Sequence, residues 1–221
     1  MIIVIDGPAG SGKSSTAITI AKRLNLQYLD SGALYRAVTS LWINAGKPEK
    51  GEFFNILTGI HLQAEYTDDV FHVKANGNDL TAEIRSQEVA GYVSEIASQP
   101  EIRSFINAVM KKIVENGIYI ADGRDLGTAV FPDAFLKFYM DASIEERARR
   151  RFREMEDSGK EVTLGDVEAN IRERDRTDQN RKSDPLKKAD DAILIDTTGK
   201  TFEEQVSEIT GIIEEKLKLK H

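Results

Sequence analysis

A glycine-rich segment near the start of the sequence has the residue types of a loop that binds phosphate groups. It begins at Gly7 and ends, after four intervening residues, in Gly-Lys-Ser at Ser14. Its glycines allow backbone N–H groups to point at phosphate oxygens, and a helix starting there adds a partial positive charge. Lys13 can reach the β- and γ-phosphates of a nucleoside triphosphate, and Ser14 can bind Mg²⁺. We assign nine residues to the triphosphate: Gly7, Pro8, Ala9, Gly10, Ser11, Gly12, Lys13, Ser14 and Ser15.

The context of this loop favours a nucleotide site over a simple turn. The apolar run Ile2–Ile5 precedes it, and residues 14–24 follow it with helical spacing of apolar side chains. A GTPase would need an Asn-Lys-x-Asp motif after a later strand, and the sequence contains none. Asp196-Thr-Thr-Gly199 matches a switch motif, but too little sequence follows it for a guanine site. A small kinase remains, and a kinase needs an acceptor site.

Two further segments follow predicted strands and carry residues suited to an acceptor. Ser31, which is expected to cap the next helix, and Arg36 follow the second strand. Asp122 and Asp125 flank Gly123-Arg124 after the third strand. Open parallel sheets bind ligands beyond the carboxyl ends of their strands, and arginine suits bidentate contact with phosphate. We expect both segments to contact a phosphorylated acceptor, with a capped helix and a solvated turn as the alternatives.

Arginines are concentrated in one part of the sequence. Nine of the fourteen are Arg147, Arg149, Arg150, Arg151, Arg153, Arg172, Arg174, Arg176 and Arg181. Nearby glutamates can pair with some of them, as on an ordinary solvated helix. Mobile arginines above a phosphate loop can instead stabilise a transferring phosphoryl group. We predict a lid at residues 149–159, and the candidate catalytic residues are Lys13, Arg124, Arg147, Arg150 and Arg151.

Short apolar runs alternate with helical stretches along the chain. The predicted strands are Ile2–Ile5, Gln27–Leu29, Ile118–Ala121, Phe135–Met140 and Ala192–Ile195. The predicted helices cover residues 14–24, 32–45, 101–115, 143–158, 163–177 and 201–218. Strands alternating with helices imply a parallel sheet covered on both faces. The expected fold class is therefore α/β, with a three-layer α/β/α core around a five-stranded parallel sheet.

One region departs from this alternation. Ile60–Tyr66 and Val70–Lys74 alternate apolar with polar residues, which predicts an antiparallel hairpin with one solvated face. Asn76-Gly77 predicts a second turn before a short strand near Leu80. We therefore expect a small β-rich subdomain at residues 59–85, inserted into a core made of residues 1–58, 86–148 and 160–221.

Composition limits the remaining classes of protein. The 221 residues include no cysteine, which excludes disulfides, thiolate metal sites and cysteine nucleophiles. The net charge of −7 argues against general binding to nucleic acid or anionic membranes. No apolar stretch approaches the roughly 20 residues of a membrane span, and the first residues lack a signal-peptide pattern. We expect a monomer in the cytoplasm.

Several motifs in order resemble those of the bacterial cytidylate kinases (CMP kinases), which are P-loop nucleoside monophosphate kinases. The motifs are Ile5-Asp-Gly-Pro-Ala-Gly-Ser-Gly-Lys13, Leu29-Asp-Ser-Gly-Ala-Leu-Tyr-Arg36, Glu83-Ile-Arg-Ser-Gln-Glu-Val89, Ala121-Asp-Gly-Arg-Asp-Leu-Gly-Thr-Ala-Val-Phe-Pro132 and Arg174-Asp-x-x-Asp-x-x-Arg181. The resemblance runs from residue 2 to about residue 215, and the β-rich insert fits the family's enlarged monophosphate-binding domain. It implies phosphorylation of CMP, and of dCMP, by ATP with Mg²⁺.

The resemblance also implies the residues that bind CMP. They are Arg36, Arg124 and Arg181 at the phosphate, Ser31, Arg174 and Asp178 near the ribose, and Ser94, Arg103 and Asp125 around the cytosine. The last group agrees with the chemistry of the base. A carboxylate accepts a hydrogen bond from the 4-amino group, and arginine donates to N3 and O2, whereas uracil would place an oxygen against the carboxylate. Without the resemblance, a solvated helix face is the favoured explanation for Ser94 and Arg103.

Several alternatives remain open at the level of the sequence. Ser14 is the expected Mg²⁺ ligand, with Ser15 as a lesser candidate and Asp122 as an acid that acts through water. The acceptor could be UMP, dTMP or shikimate in place of CMP. The chain could also be a nucleotide-sensing switch without transfer activity, or bind RNA through its arginine-rich segment, which its acidity disfavours.

Overall fold

The computed structural model describes residues 1–157, 159 and 161–219. The strands are β1 (Ile2–Asp6), β2 (Gln27–Asp30), β3 (Leu62–Thr67), β4 (Val70–Ala75), β5 (Asn78–Asp79), β6 (Tyr119–Asp122), β7 (Leu136–Asp141) and β8 (Ile193–Asp196). The α-helices are α1 (Lys13–Leu24), α2 (Ser31–Asn44), α3 (Lys50–Leu57), α4 (Gln87–Ala97), α5 (Pro100–Ile113), α6 (Ile144–Asp157), α7 (Leu164–Asn180) and α8 (Phe202–Lys218). No helix among these residues is both long and apolar enough to span a membrane.

The predicted α/β fold is confirmed. Five strands form a parallel sheet in the order β2-β6-β1-β7-β8, with helices on both sides. In the register of β1 against β7, Ile3 faces Leu136 and Asp6 faces Tyr139, so both strands end at the same edge. The separate antiparallel sheet, β3-β4-β5, confirms the predicted hairpin and its short third strand.

The chain divides into two compact units, which we describe separately. The first unit consists of Met1 and Gln27–Tyr119, and the second of Ile2–Leu26 and Ile120–His221. The bounds predicted for the core, the insert and the lid stay predictions. Within those bounds, Ser158 and Lys160, on either side of the end of the predicted lid, lie outside the described residues, as does His221.

The core of the second unit follows from its apolar patterns. Ile3, Val4 and Ile5 of β1 are fully buried, as a strand covered on both faces requires. Helices α1 and α8 pack together through the apolar faces that contain Ile20 and Ile209. A smaller cluster joins α6 to α7 through Ala148, Val167 and Ile171. These contacts fix the position of α1, which follows the phosphate loop, and of α7.

The first unit builds its core on the small sheet and α2. The inward residues of β4, Phe71 and Val73, are buried, and the Tyr28 ring of β2 makes edge contacts with Tyr66 and Phe71. Helices α2 and α4 pack closely, and Trp42 contacts the Tyr92 ring at 5.4 Å between centroids. This packing fixes α4 and α5, which carry two of the predicted site residues.

Some local predictions differ from the structure. Helices α3 and α4 have no counterpart among the predicted elements. The prediction that Ser31 caps α2 was wrong, because Asp30 is the N-cap and its side chain accepts from Ala33 N at 2.8 Å. An aspartate one residue earlier satisfies the same helix-terminal N–H groups.

Candidate functional site

The phosphate loop takes a shape that only glycines allow at several points. Gly7 has φ +150°, and a Cβ there would lie 2.0 Å from the Met140 carbonyl oxygen. Gly10 and Gly12 have φ +75° and +87°, in the left-handed region. Gly12 is also the N-cap of α1 and supplies no side-chain cap, so the first N–H groups of α1 have no side-chain acceptor at that position. Such N–H groups suit a phosphate anion.

Lys13 lies inside this loop. Its side chain is buried, and its ammonium donates to Pro8 O at 2.6 Å and to Ser11 Oγ at 3.1 Å. Burial lowers the pKa of Lys13, and the charge of Arg124 acts in the same direction, while Asp122 and Asp6 oppose the shift. A buried ammonium held by loop oxygens, with arginines nearby, would be stabilised by an anion such as a phosphate.

Arg147 and Asp175 hold the outer side of the loop. Asp175 accepts from Ala9 N at 3.1 Å, and Arg147 donates to Ala9 O at 3.0 Å. The two side chains form a buried ion pair at 2.5 Å, and Arg147 also donates to Ala142 O. Arg147 therefore links α6, α7 and the loop, and its guanidinium is occupied by protein partners.

The residues expected at the metal lie together. Ser14 Oγ donates to Asp122 Oδ2 at 2.6 Å, which joins the start of α1 to the end of β6. A serine hydroxyl and a carboxylate are hard oxygen donors, the type that Mg²⁺ prefers. Ser15, the lesser candidate, is exposed on the next position of α1. Among the described residues no group of three acidic, histidine or cysteine side chains could form an all-protein metal cage.

Four charged residues connect the turn after β6 to the end of α7. Arg124 Nε donates to Asp178 Oδ2 at 3.0 Å, and Arg181 Nη2 donates to Asp125 Oδ1 at 2.6 Å. The side chains of Arg181 and Asp125 are 8% and 7% exposed, so this ion pair is buried. Two arginines and two aspartates thus balance one another, and four of the predicted CMP-binding residues are brought together.

Arg174 differs from these arginines. It is half-buried, and within the described part of the chain it makes no hydrogen bond or ion pair. Burial lowers the pKa of Arg174, and the positive charge of Arg124 lowers it further. The same two arginines act on the pKa of Lys13. Lys13, Arg124 and Arg174 therefore lie near enough for their charges to interact, and we call these three residues the cation cluster.

The other two predicted lid arginines occupy different settings on α6. Arg150 donates to Glu146 Oε1 at 3.1 Å and to the hydroxyl and carbonyl of Thr197. Arg151 is exposed and pairs with Glu154 at 2.8 Å. Arg151 is close enough to Arg174 to contribute to the lowered pKa of that residue.

In the first unit, Arg36 lies at the start of α2. It pairs with Asp30 at 2.9 Å, and a Cβ at Gly32 would lie 3.0 Å from its Nη1. Its side chain is 30% exposed, so part of it remains accessible to a ligand. Ser31 is buried beside it.

Arg103 and Ser94 lie on α5 and α4 of the same unit. Arg103 is 2% exposed, donates to Ala97 O at 3.3 Å and stacks over the Tyr35 ring at 5.6 Å. A buried arginine on an aromatic face is held rigidly, as a base-reading donor should be. Ser94 is exposed, so for this residue the structure does not favour a ligand over a solvated helix face.

Two acidic residues of the site have no role among the sequence-based predictions. Asp6 ends β1 and bonds the turn after Asp125, and Asp175 holds the phosphate loop. The signal that could have identified Asp6 is its position as a charged residue at the end of an otherwise apolar strand. Nothing local in the sequence pairs Asp175 with a loop more than 160 positions away.

Comparison with known proteins agrees with the motifs. A family model described as Cytidylate kinase matches residues 3–215. The cytidylate kinase of Carboxydothermus hydrogenoformans is 41% identical over 215 residues, covering 96% of this chain and 97% of that protein. The cytidylate kinase of Clostridioides difficile is 41% identical over 213 residues, with 96% and 98% covered. The crystal structure of an uncharacterized protein from Eubacterium ventriosum shares the fold, with a TM-score of 0.55 at 13% identity over 97% of this chain and 98% of that one.

Proposed function

The chain belongs to the cytidylate kinase family of nucleoside monophosphate kinases, and on that premise we propose that it transfers the γ-phosphoryl group of ATP to CMP and dCMP. A phosphate oxygen of the monophosphate attacks the γ-phosphorus in line, a new P–O bond forms, and the bond to the ADP oxygen breaks. Such a transfer needs positioning and positive charge rather than a strong base. The observation that carries the proposal is the cation cluster beside the phosphate loop.

The members of the cation cluster have separate roles in the proposed transfer. Lys13 lies within the loop, where its ammonium can stabilise the negative charge that develops on the γ-phosphoryl group and on the β-phosphate of the departing ADP. Arg124 approaches from the turn after β6, on the side that we assign to the monophosphate. Arg174, which makes no hydrogen bond or ion pair within the described part of the chain, can donate to the ribose or the phosphate of CMP. Their mutual repulsion favours an anion between them.

Among the predicted lid arginines, the contacts favour different roles. Arg147 is engaged by Asp175, Ala9 and Ala142, so we assign it to positioning the loop. Arg150 and Arg151 stay candidates for contact with the transferring group, because both side chains retain exposed surface.

For the acceptor, we propose that Asp125 accepts from the cytosine 4-amino group. The carboxylate already holds Arg181, so its orientation is fixed before a substrate binds. The proposed partners of the monophosphate and ribose in the second unit are Arg124, Arg174, Asp178 and Arg181. In the first unit the corresponding proposals are Ser31, Arg36, Ser94 and Arg103. The protein is proposed to act as a monomer.

We propose that Mg²⁺ is held by Ser14, with Asp122 acting through water. Ser14 Oγ lies 2.6 Å from Asp122 Oδ2, and this proximity of two hard oxygen donors supports placing the ion beside them. When bound, the ion would neutralise charge on the phosphate oxygens.

Replacing Ser14 by alanine is expected to raise the Mg²⁺ concentration for half-maximal activity about fivefold, because one ligand is lost. The titration of activity with Mg²⁺ measures the shift. Ser15→Ala, the adjacent change, is expected to shift the midpoint much less. A larger shift for Ser15→Ala than for Ser14→Ala would reassign the metal ligand.

Replacing Arg174 by methionine is expected to weaken CMP binding about tenfold, because the new side chain keeps its bulk but cannot donate to an anion. Calorimetric titration with CMP measures the loss. Arg172→Met is the matched control, since Arg172 lies on the same helix, is exposed and pairs with Glu168. Equal affinities of the two variants would contradict a role for Arg174 at the anion.

Release of ADP with a panel of monophosphates tests the proposed function. Saturable stimulation by CMP and dCMP, with little by UMP, dTMP or shikimate, is the expected result. Stimulation by none of them would favour the nucleotide-sensing switch instead.

A further inference from the structure

Asp6 occupies an unusual position for a carboxylate. It is the last residue of β1, is 4% exposed, and directly precedes the glycine that opens the phosphate loop. Both of its oxygens accept backbone hydrogen bonds, Oδ1 from Leu126 N at 2.9 Å and Oδ2 from Gly127 N at 2.7 Å. Both carboxylate oxygens of Asp6 therefore bind the segment that follows β6, rather than the loop that Asp6 precedes.

The segment that Asp6 holds is the turn that carries Asp125. A π-helical turn spans Leu126–Val130, and its first N–H groups are those bound by Asp6. The Asp125 carbonyl accepts from Ala129 N at 2.9 Å and from Thr128 N at 3.3 Å, which closes the turn behind it. The backbone on the C-terminal side of Asp125 is thus fixed by one carboxylate and by the turn itself.

The packing around Gly127 is a second observation of the same contact. A Cβ at Gly127 would lie 3.3 Å from Asp6 Oδ2 and 3.2 Å from Lys137 Cδ. A methyl group at this position would press on both side chains, so the turn lies close against the Asp6 carboxylate. Asp6 and Lys137 are 4% and 6% exposed, so close packing around them restricts how far the turn can shift.

The environment of Asp6 is unfavourable for its negative charge. Burial raises the pKa of Asp6 to about 6, and the negative charge of Asp125 also raises it. The N–H groups of Gly127 and Leu126, and the charge of Lys13, oppose the shift. A carboxylate kept here against its burial, with two directed N–H bonds, has more specific geometry than an apolar residue could supply.

We propose that Asp6 is a positioning residue for base recognition, holding the turn so that the Asp125 carboxylate meets the amino group of cytosine. This inference rests on the proposed function, in which Asp125 binds cytosine. It assigns the orientation of the Asp125 carboxylate to Asp6, which does not itself touch the substrate. It links the strand that leads into the ATP loop to the segment that selects the monophosphate.

Asp6→Asn tests the proposal with little change in volume. An amide offers one acceptor oxygen and turns an NH₂ group toward the second backbone N–H, so one of the two bonds is lost. We expect KM for CMP to rise about tenfold and the preference for CMP over UMP to fall about as much. The dissociation constant for ATP is expected to change less than about threefold, because the phosphate loop keeps its own bonds.

Two further variants complete the experiment. Asp141→Asn is the matched control, because Asp141 ends the neighbouring strand β7 and accepts a backbone bond from Ala142 N at 2.8 Å, away from the turn. It is expected to leave the KM for CMP and the dissociation constant for ATP unchanged. Gly127→Ala displaces the turn from the other side with every carboxylate intact, and is expected to reproduce the split seen with Asp6→Asn.

The outcomes separate the positioning role from the proposed function. Wild-type protein that does not prefer CMP over UMP would overturn both. A second outcome is that wild-type protein prefers CMP, but Asp6→Asn and Gly127→Ala raise the KM for CMP and the dissociation constant for ATP by equal factors. In that case the positioning role is overturned and the proposed function stands. If Asp6→Asn does not fold, an unchanged CMP preference in Gly127→Ala overturns the positioning role.

Discussion

Lys13→Met is expected to lower kcat for transfer from ATP to CMP about 1,000-fold, which corresponds to about 4 kcal/mol of lost transition-state stabilisation. Methionine is one atom shorter than lysine and fills most of the buried position, but it carries no charge and cannot donate to phosphate. The loss should fall on kcat more than on the dissociation constant for ATP, because backbone N–H groups of the loop continue to bind the phosphates. Steady-state rates and ATP binding together measure this split.

Lys22→Ala controls for changes to the same helix. Lys22 lies in the last turn of α1, is exposed and is distant in sequence from the loop. Its rates are expected to match those of the unmodified protein. A Lys13→Met protein that retains more than about a tenth of the wild-type kcat would contradict the role given to Lys13.

Asp125→Asn is expected to lower kcat/KM for CMP about 100-fold, or about 2.7 kcal/mol, while ATP binding changes little. The amide can rotate and donate, so it no longer distinguishes an amino group from a carbonyl oxygen at position 4 of the base. It also gives Arg181 a neutral partner in place of the carboxylate 2.6 Å away. The ratio of kcat/KM for CMP to that for UMP should therefore fall together with the absolute rate.

Asp133→Asn is the control for this change, since Asp133 is an exposed aspartate just beyond the same turn. Thermal unfolding of Asp125→Asn separates lost recognition from lost folding, because a buried ion pair is altered. An unchanged KM for CMP in a folded Asp125→Asn protein would remove Asp125 from the acceptor site.

The strands and the phosphate loop were predictable because their signals are local. Ile2–Ile5 is a continuous apolar run, and the positive φ of Gly10 and Gly12 follows from the glycines themselves. The hairpin was predictable from its alternation and from two turn signals. In each case neighbouring residues determine the conformation.

Helices α3 and α4 were not predicted, and the reasons differ. Helix α3 has eight residues, with Gly51 near its start, so its apolar pattern is brief. Helix α4 does carry a recognisable pattern, with Val89 and Ile96 buried seven positions apart and a cap from Ser86 to Val89 N. Its signal was present in the sequence.

The arginines show what a sequence cannot specify. Their density predicted an anion site but not which members serve it. Arg172 and Arg176 are exposed on α7 and form ordinary ion pairs within the helix. Arg172 pairs with Glu168, and Arg176 pairs with Glu173. Arg147 became a support for the phosphate loop because its partner, Asp175, is contributed by another helix. Only the fold separates these arginines from Arg174, which has no such partner among the described residues.

The net charge of −7 and the proposed phosphate ligands agree once charge is considered locally. Lys13, Arg124 and Arg174 influence one another. Five other arginines of α6 and α7 each pair with a carboxylate: Arg147, Arg150, Arg151, Arg172 and Arg176. Positive charge is therefore concentrated where small phosphorylated ligands would bind.

A competition between CMP and UMP tests the central claim most directly. The protein is given ATP labelled at the γ-phosphate, Mg²⁺ and equal concentrations of the two monophosphates, and the labelled diphosphates are separated and counted. Because both acceptors compete for one enzyme, the product ratio equals the ratio of their kcat/KM values. We predict that CDP exceeds UDP by about 100-fold or more. Equal labelling of CDP and UDP, or label released as inorganic phosphate with neither diphosphate formed, would contradict the account.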